Sequence, residues 1–120
     1  MTFLRTYNLL QSTILNLAEE LIQFKSTPYA DKGYKPQIIQ ALRILTLNEI
    51  ITRTLSQEIN ELRMYRNGLV HGIDFDVTQT ACKRIKEIYD ALKDVLDTLI
   101  QDGKDSEKYS AAIARLHELG

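Results

Sequence analysis

The feature that most limits the folds open to this chain lies near its start, where Phe3, Tyr7, Leu10, Ile14, Leu17, Leu21 and Phe24 recur at steps of four and three. An α-helix completes a turn about every 3.6 residues, so these side chains form one apolar stripe. Leu4, Leu9, Ala18 and Ile22 widen the stripe, as expected of a helix packed inside a bundle. Ser26-Thr27-Pro28 should end it, because proline disfavours the helical conformation of the residue before it.

The same spacing returns along the chain. Tyr29–Lys35 reads as a polar loop containing Gly33, and Pro36 suits the first turn of a second helix, where its missing N–H costs nothing. Ile38, Ile39, Leu42 and Leu45 would give that helix its buried face, with Asn48 closing it. Thr52, after Ile50-Ile51, is a natural N-cap for a third helix whose core positions are Leu55, Ile59, Leu62 and Leu69. One position in that series holds Arg66 instead of an apolar residue. Asp76 or Thr78 would cap a long fourth helix with Ala81, Ile85, Ile88, Leu92, Val95 and Leu99 facing inward, and Gly103 would stop it. Asp105 or Ser106 would open a last helix carrying Ile113, Leu116 and Leu119. No strand pair, repeat or domain-dividing linker is visible. The expected architecture is a single all-α domain over residues 1–120, a bundle of four to five antiparallel helices.

Composition agrees, with aliphatics that are mostly Leu and Ile, two Pro and no Trp. Cys82 is the only cysteine, so an internal disulfide is impossible and a reducing, cytoplasmic setting is the simplest expectation. The first twenty residues lack the apolar run and cleavage site of a signal peptide. No stretch is apolar enough to span a bilayer, so no membrane partner is expected. The net charge of −1 argues against broad, charge-driven nucleic-acid binding. Its distribution is uneven: residues 1–86 hold 11 Lys/Arg against 8 Asp/Glu, and residues 87–120 hold 4 against 8. An anionic partner would meet the first part of the chain.

The segment RMYRNGLVHG, residues 63–72, carries the chemistry. At about 100° per residue, Asn67 and His71 fall on one helix face, and Arg66 is offset by an angle that a long side chain can bridge. Arg63, one turn earlier, joins the same patch. Gly68 costs roughly 1 kcal/mol against Ala inside a helix, a cost that a close approach by another backbone or a ligand would explain. Histidine moves protons near neutral pH, and the arginine fork matches phosphate oxygens. Together they suit a phosphodiester, with His71 transferring the proton and Arg66 holding the charge that develops at phosphorus. RNA brings its own nucleophile, the 2′-hydroxyl, so neither a metal nor a cofactor is required. A second account stays open at this point. Arg and His near a helix C-terminus also oppose the negative end of the macrodipole, Gly72 is then an ordinary helix stop, and Asn67 an ordinary surface residue.

LRMYRNGLVHG resembles the R-x4-6-H motif of the HEPN superfamily, the higher eukaryotes and prokaryotes nucleotide-binding domains. Arg66 matches the motif arginine, Asn67 the polar residue that often follows it and His71 the histidine, with four residues between. The helix order fits over most of residues 1–100, although only the short motif is specific. The resemblance implies a metal-independent endoribonuclease leaving 2′,3′-cyclic phosphate ends, acting as a toxin or in defence or RNA processing. It also implies a homodimer in which two copies of the motif meet in one cleft, with Arg66 and His71 catalytic and Asn67 contacting substrate. Arg63, placed in the same patch by its spacing, is expected to contact substrate beside them. In one subgroup a nucleotidyltransferase antitoxin modifies a tyrosine two residues after the histidine. Here that position is Ile73, so silencing of that kind does not carry over, whereas an antitoxin or other partner protein remains open. Other members have lost activity and serve as nucleotide- or protein-binding modules.

The remaining residues read plainly. His117 should be a solvated surface residue, Cys82 a small buried group, Tyr65 a partly buried helix aromatic, and Lys83, Arg84 and Lys86 a solvated basic face. The other tyrosines do not form a comb for stacking bases.

Overall fold

The computed structural model describes residues 2–23, 37–70 and 79–120, and these form helices without a strand. In chain order they are α1 (Phe3–Gln23), α2 (Ile38–Leu47), α3 (Arg53–Val70), α4 (Gln79–Asp102) and α5 (Glu107–His117). The all-α bundle expected from the periodicity is therefore the fold. Phe24, the Ser26-Thr27-Pro28 stop, the Tyr29–Lys35 loop, Pro36 and the fourth-helix caps Asp76 and Thr78 lie outside the described residues.

The α1 stripe is buried from Phe3 to Leu21. It packs on α4 and α2, while α5 covers another side of α4. Two threonines enter this core with their hydroxyls satisfied, because Thr6 Oγ1 donates to the Thr2 carbonyl at 3.0 Å and Thr13 Oγ1 to the Leu9 carbonyl at 2.9 Å. On α4 the inward residues are Ile85, Ile88, Leu92, Val95, Leu96 and Leu99. Truncating one of these Leu or Ile side chains to Ala would cost about 2–5 kcal/mol, through lost transfer energy and the cavity left behind.

α2 departs from expectation. It buries Ala41, Leu42 and Leu45, whereas Ile39, assigned above to its inner face, is 53% exposed. The polar residues of α2, Gln40, Arg43 and Thr46, fall on one face within about 120° of one another, and Ile39 lies among them, so it turns outward with that face. Asn48 does close it: the Asn48 backbone N–H donates to the Ile44 carbonyl at 3.1 Å, and its Nδ2 donates there at 2.7 Å. Glu49 then turns the chain with a φ of 60°, and Ile50 and Ile51 are anchored in the core. Thr52 caps α3, its Oγ1 accepting from the Leu55 N–H at 3.1 Å.

Gly103 stops α4 in the left-handed region, with φ 83° and its N–H on the Leu99 carbonyl at 3.1 Å. Of the two candidates for the next N-cap, Ser106 takes the role, accepting from the Tyr109 N–H at 3.1 Å. The core face of α5 is Tyr109, Ala112 and Leu116, while Ile113 and Leu119 are only half-buried. Polar ties close the bundle at this end. Arg84 donates to both carboxylate oxygens of Glu58 at 2.7 and 2.9 Å, and also to the Leu119 carbonyl. The Thr52 hydroxyl donates to the Gly120 carbonyl. His117 is exposed as expected, but its Nε2 donates to the Glu49 carbonyl at 2.8 Å. No helix among the described residues is long and apolar enough to cross a membrane.

Candidate functional site at the seam of α1 and α3

Along α3 the inward positions pass from Leu55 and Ile59, fully buried, to Leu62 and Leu69, half-buried, and Arg66 stands between the last two. Its side chain faces α1. A guanidinium is planar and weakly hydrated, so it can lie against an aromatic ring where an ammonium would stay in water. Arg66 does so, its guanidinium carbon 5.1 Å from the centre of the fully buried Tyr7 ring. Nη2 reaches Gln11 Oε1 at 3.5 Å, and Nη1 donates to Asn67 Oδ1 at 3.0 Å. Tyr7 and Gln11 are one helical turn apart on α1, so both face the same seam. Next to them, Phe3 and Tyr65 meet edge to face, with ring centres 5.3 Å apart at 83°, which fixes the spacing of the two helices.

Two buried polar atoms at this seam have no hydrogen-bond partner among the described residues, Arg66 Nε and the Tyr7 hydroxyl. Nor does any described carboxylate lie within 4.0 Å of the Arg66 guanidinium. Burial pushes the Tyr7 hydroxyl above its ordinary range, and the positive charges of Arg66 and Arg63 pull it part of the way back. Arg63 is close enough to be felt at Tyr7, but its own Nε donates to Asn60 Oδ1 at 3.0 Å. The seam is thus half-buried, positively charged and incompletely satisfied.

Of the residues singled out from sequence, Arg66 and Asn67 are brought into contact and Arg63 lies on the same side. His71 lies outside the described residues, as do Gly72 and Ile73. Gly68 lies within α3, half-exposed, directly before Leu69 of the seam stripe.

Two side chains at the seam escape a reading of the sequence. The periodicity marks Tyr7 only as a core residue and gives Gln11 no role. The available signal is their spacing of four on one face of α1, but nothing in the sequence says that this face meets Arg66. The basic run of α4 is not the solvated face expected of it throughout. Arg84 is half-buried and bound to Glu58, whereas Lys86 is exposed and pairs with Asp90 at 2.9 Å. Tyr65 and Cys82 are both partly buried against the core. Among the described residues, no three His, Cys, Asp or Glu side chains cluster so as to hold a metal ion. Compared with known proteins, the chain matches no family model, no curated protein and no solved structure.

Proposed function

We propose that this chain is a metal-independent endoribonuclease of the HEPN type, working as a homodimer. The observation that carries the reading is Arg66, a half-buried guanidinium with no carboxylate within 4.0 Å and a buried Nε without a partner among the described residues. A cation withdrawn from water without a counter-ion is costly, and an anionic ligand such as a phosphodiester would offset that cost. The dipole account is less well supported, because Arg66 donates to Asn67 and Gln11 and not to carbonyls of the last turn of α3.

In the proposed reaction a base removes the proton from a ribose 2′-hydroxyl, and O2′ attacks the adjacent phosphorus. The O2′–P bond forms, the P–O5′ bond breaks, and an acid protonates O5′. The products are a 2′,3′-cyclic phosphate and a 5′-hydroxyl. One imidazole cannot be base and acid in the same step, so two copies of His71, one from each subunit, divide the roles. Arg66 stabilises the charge on the phosphorane, Asn67 holds Arg66 in place, and Arg63 adds a second cation for the flanking phosphate.

The test is incubation of the purified chain with single-stranded RNA in EDTA. Cleavage to cyclic phosphate ends is expected, and His71→Ala should lower it by about 10²–10⁴-fold. Full activity in His71→Ala would remove this mechanism. A non-catalytic nucleotide- or protein-binding module is the second reading, favoured by the engagement of both Arg66 Nη groups within the chain, which leaves fewer donors for a developing charge. It predicts RNA left intact alongside a stable co-purifying partner.

A further inference from the structure

We infer that the outer face of α2 and the start of α3 form a docking groove for an acidic amphipathic helix of a partner protein. A groove of about 390 Å³ opens there, with Leu42 in its floor and Arg43 and Arg53 on its rim. Along α2, IIQALRILTL, the polar residues Gln40, Arg43 and Thr46 share the outer face with Ile39 and Leu47, so this face sets two large apolar side chains among polar ones. The described residues cover only the opposite face, that of Ala41, Leu42 and Leu45. Ile39 is 53% and Leu47 74% exposed, and with Arg43 between them they form one stripe at steps of four along α2. Ser56 and Gln57 of α3 supply polar groups opposite.

Charge selects the occupant. Among the described residues, no acidic side chain lines the groove and neither Arg43 nor Arg53 has a carboxylate within 4.0 Å. A helix whose apolar face meets Ile39, Leu42 and Leu47, and whose flanks carry Asp or Glu, satisfies both features. The chain's own residues 24–36 are a poor fit on charge, with Lys25, Lys32 and Lys35 against Asp31. A second copy offering α4 or α5 is also a poor fit, since α4 carries five Asp/Glu against four Lys/Arg and α5 one against two, and the two helices expose one large apolar side chain, Ile100, among the described residues. The inference does not depend on ribonuclease activity, because Arg66 does not line the groove.

The experiment uses the full chain and a labelled Leu/Glu amphipathic peptide of about 18 residues, long enough to hold helical structure. Fluorescence anisotropy should give saturable binding that weakens with salt. Arg43→Glu combined with Arg53→Glu should weaken it by about tenfold or more, as should Leu47→Asp, with helicity unchanged by circular dichroism. The same peptide with Lys in place of Glu should not bind. Equal binding of the two peptides, binding that survives the double charge reversal, or no saturation up to about 1 mM overturns the proposal. So does dissociation of a dimer by Leu47→Asp in sedimentation, which would make the groove a contact between copies.

Discussion

The arginines of the two halves of this bundle live differently. In α4 and α5 both are ion-paired: Arg84 with Glu58 and Glu87, and Arg115 with Asp94. Among the described residues of α1 to α3, Arg5, Arg43, Arg53, Arg63 and Arg66 have no carboxylate within 4.0 Å. Two lysines of α4 follow the same habit as its arginine, with Lys86–Asp90 at 2.9 Å and Lys93–Asp97 at 3.0 Å. The half made by α4 and α5 largely neutralises itself, with Glu58 of α3 also serving Arg84, whereas the described carboxylates leave the guanidinium groups of α1 to α3 without a counter-ion. That contrast is sharper than the sum of charges, because it concerns which cations already have a counter-ion.

The largest effect expected from the contrast is on activity. Arg66→Ala should lower RNA cleavage by about 10²–10³-fold, the usual consequence of removing one donor to a developing charge. Arg115→Ala should leave the rate unchanged. A comparable loss in both variants, measured with a labelled single-stranded RNA, would erase the functional distinction between the halves.

Much of the bundle is legible in the sequence because helical periodicity is a local property. The α1 stripe, the Thr52 cap and the Gly103 stop each depend on a few neighbouring residues. Ile39 is misplaced when apolar residues are counted without their angles, because at about 100° per residue it falls between Thr46 and Arg43 on the polar face of α2. The seam is half legible. Arg66 stands out as a break in an apolar series, but Gln11 lies 55 residues from it and Tyr7 further still, and a contact at that separation leaves no periodic trace.

The next effect concerns the ion pair joining the two halves, Arg84–Glu58. Its geometry is bidentate and both side chains are half-buried, so Arg84→Ala should cost about 1–3 kcal/mol in a denaturant titration. A cost near zero would mean that the pair adds nothing to the packing of α3 on α1 and α2.

A smaller effect is expected at Tyr7, whose hydroxyl is buried without a partner among the described residues. Tyr7→Phe keeps the ring under Arg66 and removes the unsatisfied group, so stability at neutral pH should stay the same or rise by up to about 1 kcal/mol. The pH dependence has a definite sign. The folded hydroxyl titrates above its ordinary value of 10.0, so the stabilisation is present below that pH and is lost as pH rises through the folded value, where the unfolded chain has already released its proton. Thermal melts from neutral to strongly alkaline pH should show a shallower alkaline decline in Tyr7→Phe than in the parent.

The smallest effect should come from the self-neutralised half. The Arg115–Asp94 pair is mostly exposed, with side-chain exposures of 62% and 43%. In water the attraction between two such charges barely exceeds the entropy lost in ordering two side chains, so Arg115→Ala should change stability by about 0–1 kcal/mol. Added salt should shrink even that difference, because screening acts most strongly on exposed charges. A larger, salt-insensitive loss in the denaturant midpoint would show that Arg115 contributes through packing of its stem on α4, and the division between paired and unpaired arginines would then have to be drawn by burial instead of by counter-ion.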